Sequence, residues 1–294
     1  KSFRWLSTTR GSELAMTKLV LIAGRPSHGP GAHEYRAGML LLAQYLEAVP
    51  SLKVDVHDEG WLSSDDALEG ASAVAIFADG GAGHPLLEDD HLAAISRLVD
   101  ERSLGLGLMH YAVELPAGDG AQRVDAWIGG HYQDRISCNP IWEARMAPLP
   151  QHPVTRGVSS FATTDEWYFN IQFSDTASEG SGSPGLDGHI TPILVATPSE
   201  AVRRGPYVYP PGPYAHIVGA NGRRETLMWV VERHDGGRGF GMTGGHFHAN
   251  WANDAFRTVV LNALAWIAGV EVPPEGVSST LTSGDLGRNL DASP

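Results

Sequence analysis

The chain has 294 residues, 42% of them apolar, a formal charge of −13 and one cysteine, Cys138. That length and apolar content can build a sizeable buried core and exclude wholesale disorder. The acidic balance excludes a nucleic-acid partner, which needs a basic face, and the single thiol excludes an internal disulfide and a cysteine-built zinc cluster.

Lys1 to Ala15 contain no apolar core of the kind a secretory signal requires. Residues 1–16 therefore read as an N-terminal extension, vector-derived or flexible, with Met16 as the native start and a cytoplasmic location expected. Leu19-Val20-Leu21-Ile22-Ala23 is a continuous apolar run ending at Gly24, as in a central parallel strand covered on both faces. Met39, Leu42, Leu46 and Val49 then recur at helical spacing until Pro50. Strands are predicted over Leu52 to Val56, Ala73 to Ala78 and Leu104 to Met109, with a helix marked by Leu92, Ile95, Leu98 and Val99 before the last. The longest apolar stretch, Ala37 to Val49, is interrupted by Gln44 and Glu47 and falls short of the roughly 18 residues that span a bilayer. No membrane association is expected.

A short helix is predicted between Gln122 and Tyr132. Asn139 to Gln172, rich in aromatics and prolines, reads as irregular, Ser174 to Gly188 as a glycine-rich mobile loop, and Pro206 to Pro213 as a surface excursion. Strands resume at Ile193 to Ala196, Ala215 to Val218, Thr226 to Val231 and Gly239 to Thr243. A final helix carries Phe256, Val260, Leu264 and Ile267, capped by Asn253 or Asp254 and stopped at Gly269. The alternation implies an α/β fold, a doubly wound, mostly parallel sheet with helices on both faces and long loop insertions in the second half. It forms one elaborated domain over residues 17–272, with a loosely ordered tail over 273–294.

Polar residues collect just after these strands. His28 and His33 follow the first, Asp58 the second, Asp79 and His84 the third, His110 and Glu114 the fourth, and His246 and His248 the last. Carboxyl ends of parallel strands share one edge, so these side chains converge over one crevice. Zinc or a similar divalent ion takes three or four N/O ligands, and His33, His110, His246 or His248 with Glu114 or Glu166 could supply them. Neither an HExxH nor a paired-cysteine spacing occurs, and a metal-free acid/base pocket is the alternative. In Asp165-Glu166-Trp167-Tyr168, acidic groups adjoin large aromatics, as a sugar site needs for hydroxyls and apolar sugar faces.

Catalytic candidates are His110, Glu166, His246 and His248. His110 and Glu166 are read as proton carriers, and His33, His246 and His248 as ligands or electrophiles. Arg25, His28, Glu114, Trp167, Tyr168 and Trp251 are candidates for holding substrate. Gly239-Phe240-Gly241-Met242-Thr243-Gly244 matches a dinucleotide motif in letters, but it lies within a strand and ends well before the helix, so no nucleotide cofactor is expected. No GxSxG elbow occurs, and Cys138 reads as a structural thiol. The expected partner is a small-molecule carbohydrate, with self-association left open. The competing reading is a noncatalytic carbohydrate-binding or accessory protein with the same crevice.

Five segments in order resemble the ThuA-like family, the trehalose-utilisation group within the class I glutamine-amidotransferase-like superfamily. They are Ile22 to His33, Leu108 to Glu114, His152 to Gly157, Asp165 to Tyr168 and Gly237 to His248. The resemblance implies a flavodoxin-like sheet and a role in sugar catabolism, often beside oxidoreductases that make 3-keto-glycosides. Amidotransferases of that superfamily carry a cysteine in the elbow after a central strand. Here the elbow holds His110 and Tyr111, so glutaminase chemistry is not expected.

Overall fold

A computed structural model describes residues 16–147, 149–174 and 189–292. The expected N-terminal arm before Met16, and the glycine-rich loop apart from Ser174, lie outside the described residues. In chain order the elements are β1 (Thr17–Ala23), α1 (Tyr35–Leu46), β2 (Leu52–His57), β3 (Ala71–Phe77), α2 (His91–Arg102), β4 (Gly105–Met109), α3 (Asp119–Ile128), β5 (Gly130–His131), β6 (Ile141–Met146), β7 (Phe161–Glu166), β8 (Gln172–Phe173), β9 (His189–Ala196), α4 (Glu200–Arg203), α5 (Ala215–Gly219), β10 (Glu225–Glu232), β11 (Arg238–Met242) and α6 (Asp254–Ile267).

Seven strands form the central sheet in the order β2-β1-β3-β4-β11-β10-β9. The first five are mutually parallel, and β10 runs against both of its neighbours. Leu19 to Ala23 are fully buried because both sheet faces are covered. Leu19, Leu21 and Ala23 face a layer that includes Leu42 of α1 and Val260 of α6, while Val20 and Ile22 face a layer with Ile95 of α2 and Val124 of α3. This two-residue alternation, with both faces covered, explains why Leu19 to Ala23 is uniformly apolar. At the start of α6, Asn253 Oδ1 accepts the Phe256 N–H at 3.1 Å, as the capping pattern implies. Among the described residues no helix is long and apolar enough to cross a membrane.

Three segments differ from the sequence expectation. The stretch read as irregular contains β6 and β7, paired antiparallel from Ile141 opposite Glu166 to Met146 opposite Phe161. Trp142, Ala144 and Met146 alternate inward between outward Ile141, Glu143 and Arg145, a period-2 pattern masked by the surrounding prolines and aromatics. Ala215 to Val218 belongs to the short helix α5 rather than a strand, with Ile217 its one buried side chain. So short an apolar run cannot decide between the two.

The segment after Val272 is docked rather than loose. Asn262 Oδ1 accepts the Val277 N–H at 2.8 Å, Arg257 Nε donates to Ser279 Oγ at 2.9 Å, and Glu34 Oε2 accepts the Asp291 N–H at 2.7 Å. Polar side chains buried in α6 thus find their partners in the tail's backbone and hydroxyls. Composition alone gives no sign of such contacts.

His84 lies after β3 and is structural. Its Nε2–H donates to the Ala112 carbonyl at 2.9 Å, and its Nδ1 accepts the Leu86 N–H at 3.0 Å. Burial pushes its pKa from 6.5 down to about 4, against the pull of that carbonyl. The unfolded chain therefore binds the proton first as pH falls, and stability declines through the window from 6.5 toward 4. Urea unfolding should show about 2–3 kcal/mol lost to this group by about pH 4.5. His84→Asn, which lacks the titrating ring, should flatten that slope; an unchanged slope would rule the assignment out.

Candidate metal centre

Four side chains from distant parts of the chain meet at the carboxyl edge of the sheet. His33 lies between β1 and α1, His110 directly follows β4, Glu166 ends β7, and His246 follows β11. Their ligand atoms all lie within 4.8 Å of one another. His33 Nε2 is 2.8 Å from His246 Nδ1 and 3.0 Å from His110 Nε2. Glu166 Oε2 is 2.6 Å from His246 Nδ1 and 3.8 Å from His110 Nε2.

Local backbone structure builds this convergence. His33, just before α1, and His110, just after β4, adopt left-handed φ values of 54° and 53°, a backbone state that costs about 1–3 kcal/mol each. The loop after β11 is tied to the loop after β1, because the His33 N–H donates to the His246 carbonyl at 2.9 Å and the His248 N–H to the Gly31 carbonyl at 3.0 Å. The preceding Gly-Gly pair is required. A Cβ on Gly244 would fall 2.4 Å from the Trp167 ring, and Gly245 has a φ of 121°.

Beneath the turn lies Asp165, fully buried. It accepts the N–H groups of Gly245 at 2.8 Å, His246 at 3.0 Å, Phe247 at 3.4 Å and its neighbour Glu166 at 2.8 Å. Burial raises its pKa even so, with the Gly245 N–H and the Asn250 side chain pulling the other way.

The donor atoms suit a cation. His110 Nδ1 is 2.8 Å from the Thr243 carbonyl, which only accepts, so this nitrogen carries the hydrogen and Nε2 turns a lone pair to the cluster. Burial pushes the His110 pKa down to about 3, the Thr243 carbonyl opposing and His246 and His28 adding. Burial is also the main cause holding His33 far below the usual imidazole range, with His110, His28 and His246 adding to it. Both rings are therefore neutral near pH 7, as metal ligands must be. Glu166 is raised by burial and lowered by its bond to His246, while its Oε1 accepts from Asn139 Nδ2 at 2.8 Å. In tetrahedral zinc sites, bonds of about 2.0–2.1 Å place ligand atoms about 3.3 Å apart, close to the spacings here.

The cluster opens into a pocket of about 410 Å³ whose walls include His28, Tyr111, Glu114, Asp134 and Tyr209. Among the described residues no lysine or arginine lines it. Glu114 is half-buried, with no hydrogen bond to its carboxylate among the described residues. Desolvation first, then Asp134 and Glu166, pushes its pKa up to about 7. A larger cleft of about 510 Å³ beside α2 and α3 contains Arg123, Arg233 and Asp235 and, among the described residues, gathers no ligand cluster.

Four of the five edge histidines come together, since the ring of His28 lies 3.7 Å from that of His33. His248 is the exception. It starts a short 3-10 turn and is buried near Glu34, outside the ligand group. Tyr168 reaches the cluster, its hydroxyl 3.3 Å from His110 Nε2. Trp167 and Trp251 are fully buried core residues packed on Phe256, so neither ring is available for stacking on a substrate. Arg25 lies over Gly60 and does not line the pocket. Tyr35, Asn139 and Tyr209 escaped the sequence reading. Tyr35 sits two residues beyond His33, but Asn139 and Tyr209 arrive from irregular segments with no periodic signal.

The "Trehalose utilisation" family model, ThuA, matches residues 20–267. No curated protein matches the sequence. Among solved structures, a ThuA-like protein from Bacteroides uniformis superimposes with a TM-score of 0.57 at 13% identity, covering 87% of this chain and 93% of that one. A ThuA-like protein from Parabacteroides merdae gives a TM-score of 0.56 at 15% identity, covering 91% and 94%. These likenesses speak for the fold, and the family match spans the segments that carry His33, His110, Glu166 and His246. The chain belongs to the trehalose utilisation (ThuA) family.

Proposed function

We propose that the chain is an enzyme of carbohydrate catabolism that acts on a sugar or keto-sugar glycoside with the help of a divalent metal such as zinc. The carrying observation is the convergence of three imidazole nitrogens and one carboxylate oxygen at the mouth of a pocket. Family membership supports the carbohydrate, and the order β2-β1-β3-β4-β11 supports a flavodoxin-like, doubly wound reading with its crevice at the carboxyl edge. A bound ion would act as a Lewis acid toward a substrate carbonyl or hydroxyl oxygen. His33, His110, His246 and Glu166 would hold it, which moves proton transfer away from His110 and Glu166.

That role passes to Glu114. Among the described residues no group hydrogen-bonds its carboxylate, it lines the pocket, and a pKa raised to about 7 in the metal-free chain suits a base that takes the proton from a carbon beside a carbonyl. Tyr111, Tyr209 and Asp134 on the same walls offer hydrogen bonds to sugar hydroxyls.

The test is turnover of a keto-glycoside panel by zinc-loaded protein. Activity should rise with pH as Glu114 loses its proton, with the limb shifted below the value of about 7 in the metal-free pocket because a bound cation favours the carboxylate. Glu114→Gln should lower kcat by about 100-fold or more and remove that limb, with zinc content unchanged. A panel turned over no faster than by a His33→Ala/His246→Ala double variant would sink the enzymatic reading. Full activity in Glu114→Gln would sink the base assignment alone.

A further inference from the structure

We infer that Asp79 is a positioning residue that sets the tautomers of two imidazoles at once, His33 in the ligand cluster through the Tyr35 hydroxyl and His28 on the pocket wall through the Ser27 hydroxyl. Its effect on metal binding rests on the proposed function; its effect on the rings does not. Asp79 sits just past the end of β3, and its Oδ1 accepts from Tyr35 OH at 2.7 Å and from Ser27 Oγ at 2.8 Å. Each hydroxyl oxygen is in turn next to a ring nitrogen, Tyr35 OH 2.7 Å from His33 Nδ1 and Ser27 Oγ 2.8 Å from His28 Nδ1.

A hydroxyl has one hydrogen and a carboxylate has none. Each hydroxyl therefore spends its hydrogen on Asp79 and can only accept from the ring. Both Nδ1 atoms must carry hydrogen, and in a neutral ring this leaves Nε2 with its lone pair. Tyr35 is fully buried, so no solvent competes with Asp79 for its hydrogen.

The opposite arrangement shows what Asp79 prevents. With no acceptor behind it, Tyr35 could donate to His33 Nδ1, and the ring hydrogen would move to Nε2. There it would point at His110 Nε2, 3.0 Å away, and fill the space between the lone pairs with an internal hydrogen bond. An acceptor-only group at position 79 keeps the cluster open to a cation. Through its second arm it leaves His28 Nε2 as a bare acceptor, available to a substrate hydroxyl. Outer partners of this kind typically change metal affinity by about 10–100-fold.

The experiment combines two readouts on the full chain. Long-range proton–nitrogen NMR spectra of metal-free, nitrogen-15-labelled protein report which nitrogen of each ring carries hydrogen, and competition with a chromophoric chelator reports the Kd for zinc alone. In the wild-type chain both His33 and His28 should carry hydrogen on Nδ1. Asp79→Ala, which leaves both hydroxyls without this acceptor, should let hydrogen move to Nε2 of both rings and weaken zinc binding by about 10–100-fold. Tyr35→Phe should disturb His33 without His28, and Ser27→Ala His28 without His33, which keeps the test decisive if the Asp79 variant folds poorly. An Nε2-hydrogen on His33 in the wild type, or tautomers unmoved in all three variants, overturns the inference. The expected tautomers in a chain that binds no zinc would support the relay while refuting the metal reading.

Discussion

Zinc added to the purified chain is expected to bind one to one and to raise its melting temperature, and His110→Ala is expected to lose both effects. A ligand that binds only the folded state stabilises it by about 4 kcal/mol at a thousandfold excess over Kd, on the order of 5–10 °C for a chain of this size. His110 is the informative position because its ring is fully buried and, among the described residues, its Nε2 meets only the cluster and the Tyr168 hydroxyl. Removing a direct ligand should cost more than the about 10–100-fold typical of an outer partner. His246→Ala and Glu166→Gln should behave alike, because Glu166 Oε2 and His246 Nδ1 meet at 2.6 Å. Isothermal titration and inductively coupled plasma analysis check the stoichiometry. Unaltered zinc affinity in both histidine variants would refute the four-ligand centre.

The second large effect is expected at Asp165. Truncation to alanine strips the acceptor from four backbone N–H groups in a site that excludes solvent, and each orphaned donor costs about 1–3 kcal/mol before the loop relaxes. A loss of about 3 kcal/mol or more in urea unfolding of metal-free protein is expected, with a smaller loss in Asp165→Asn, which retains one acceptor. Zinc affinity should fall in the same variants, because the backbones of Glu166 and His246 both hang from this carboxylate. If metal-free stability stayed at the wild-type level, Asp165 would not be the anchor of the turn.

Much of this was legible in the sequence because the physics there is local. Leu19 to Ala23 and Leu104 to Met109 are apolar without interruption because a central parallel strand has no wet face, and the edge rule then carried His33, His110 and His246 to one place. Legibility stopped where one pattern served two ends. Trp167 and Trp251 looked like sugar platforms, yet a large ring beside an acid fills a core equally well, and both do so. His246 and His248 are two residues apart and looked equivalent; the short 3-10 turn starting at His248 sends it away from the cluster. The β6–β7 pair hid behind prolines, and Tyr35 and Asp79 gain their role only from contacts across the fold, which no spacing encodes.

The bond between His33 and His246 joins residues 213 positions apart. On a ribosome, the loop after β1 emerges early and must wait for nearly the whole sheet before its partner exists. Contacts of such long sequence separation form late and slowly. The strained backbone at His33 therefore has no compensating partner through most of synthesis, and a chain arrested before β11 could pair its first strands without gathering a single complete donor set. Metal uptake would then report completion of the fold, separating finished molecules from partly made ones in a way that secondary-structure content would not.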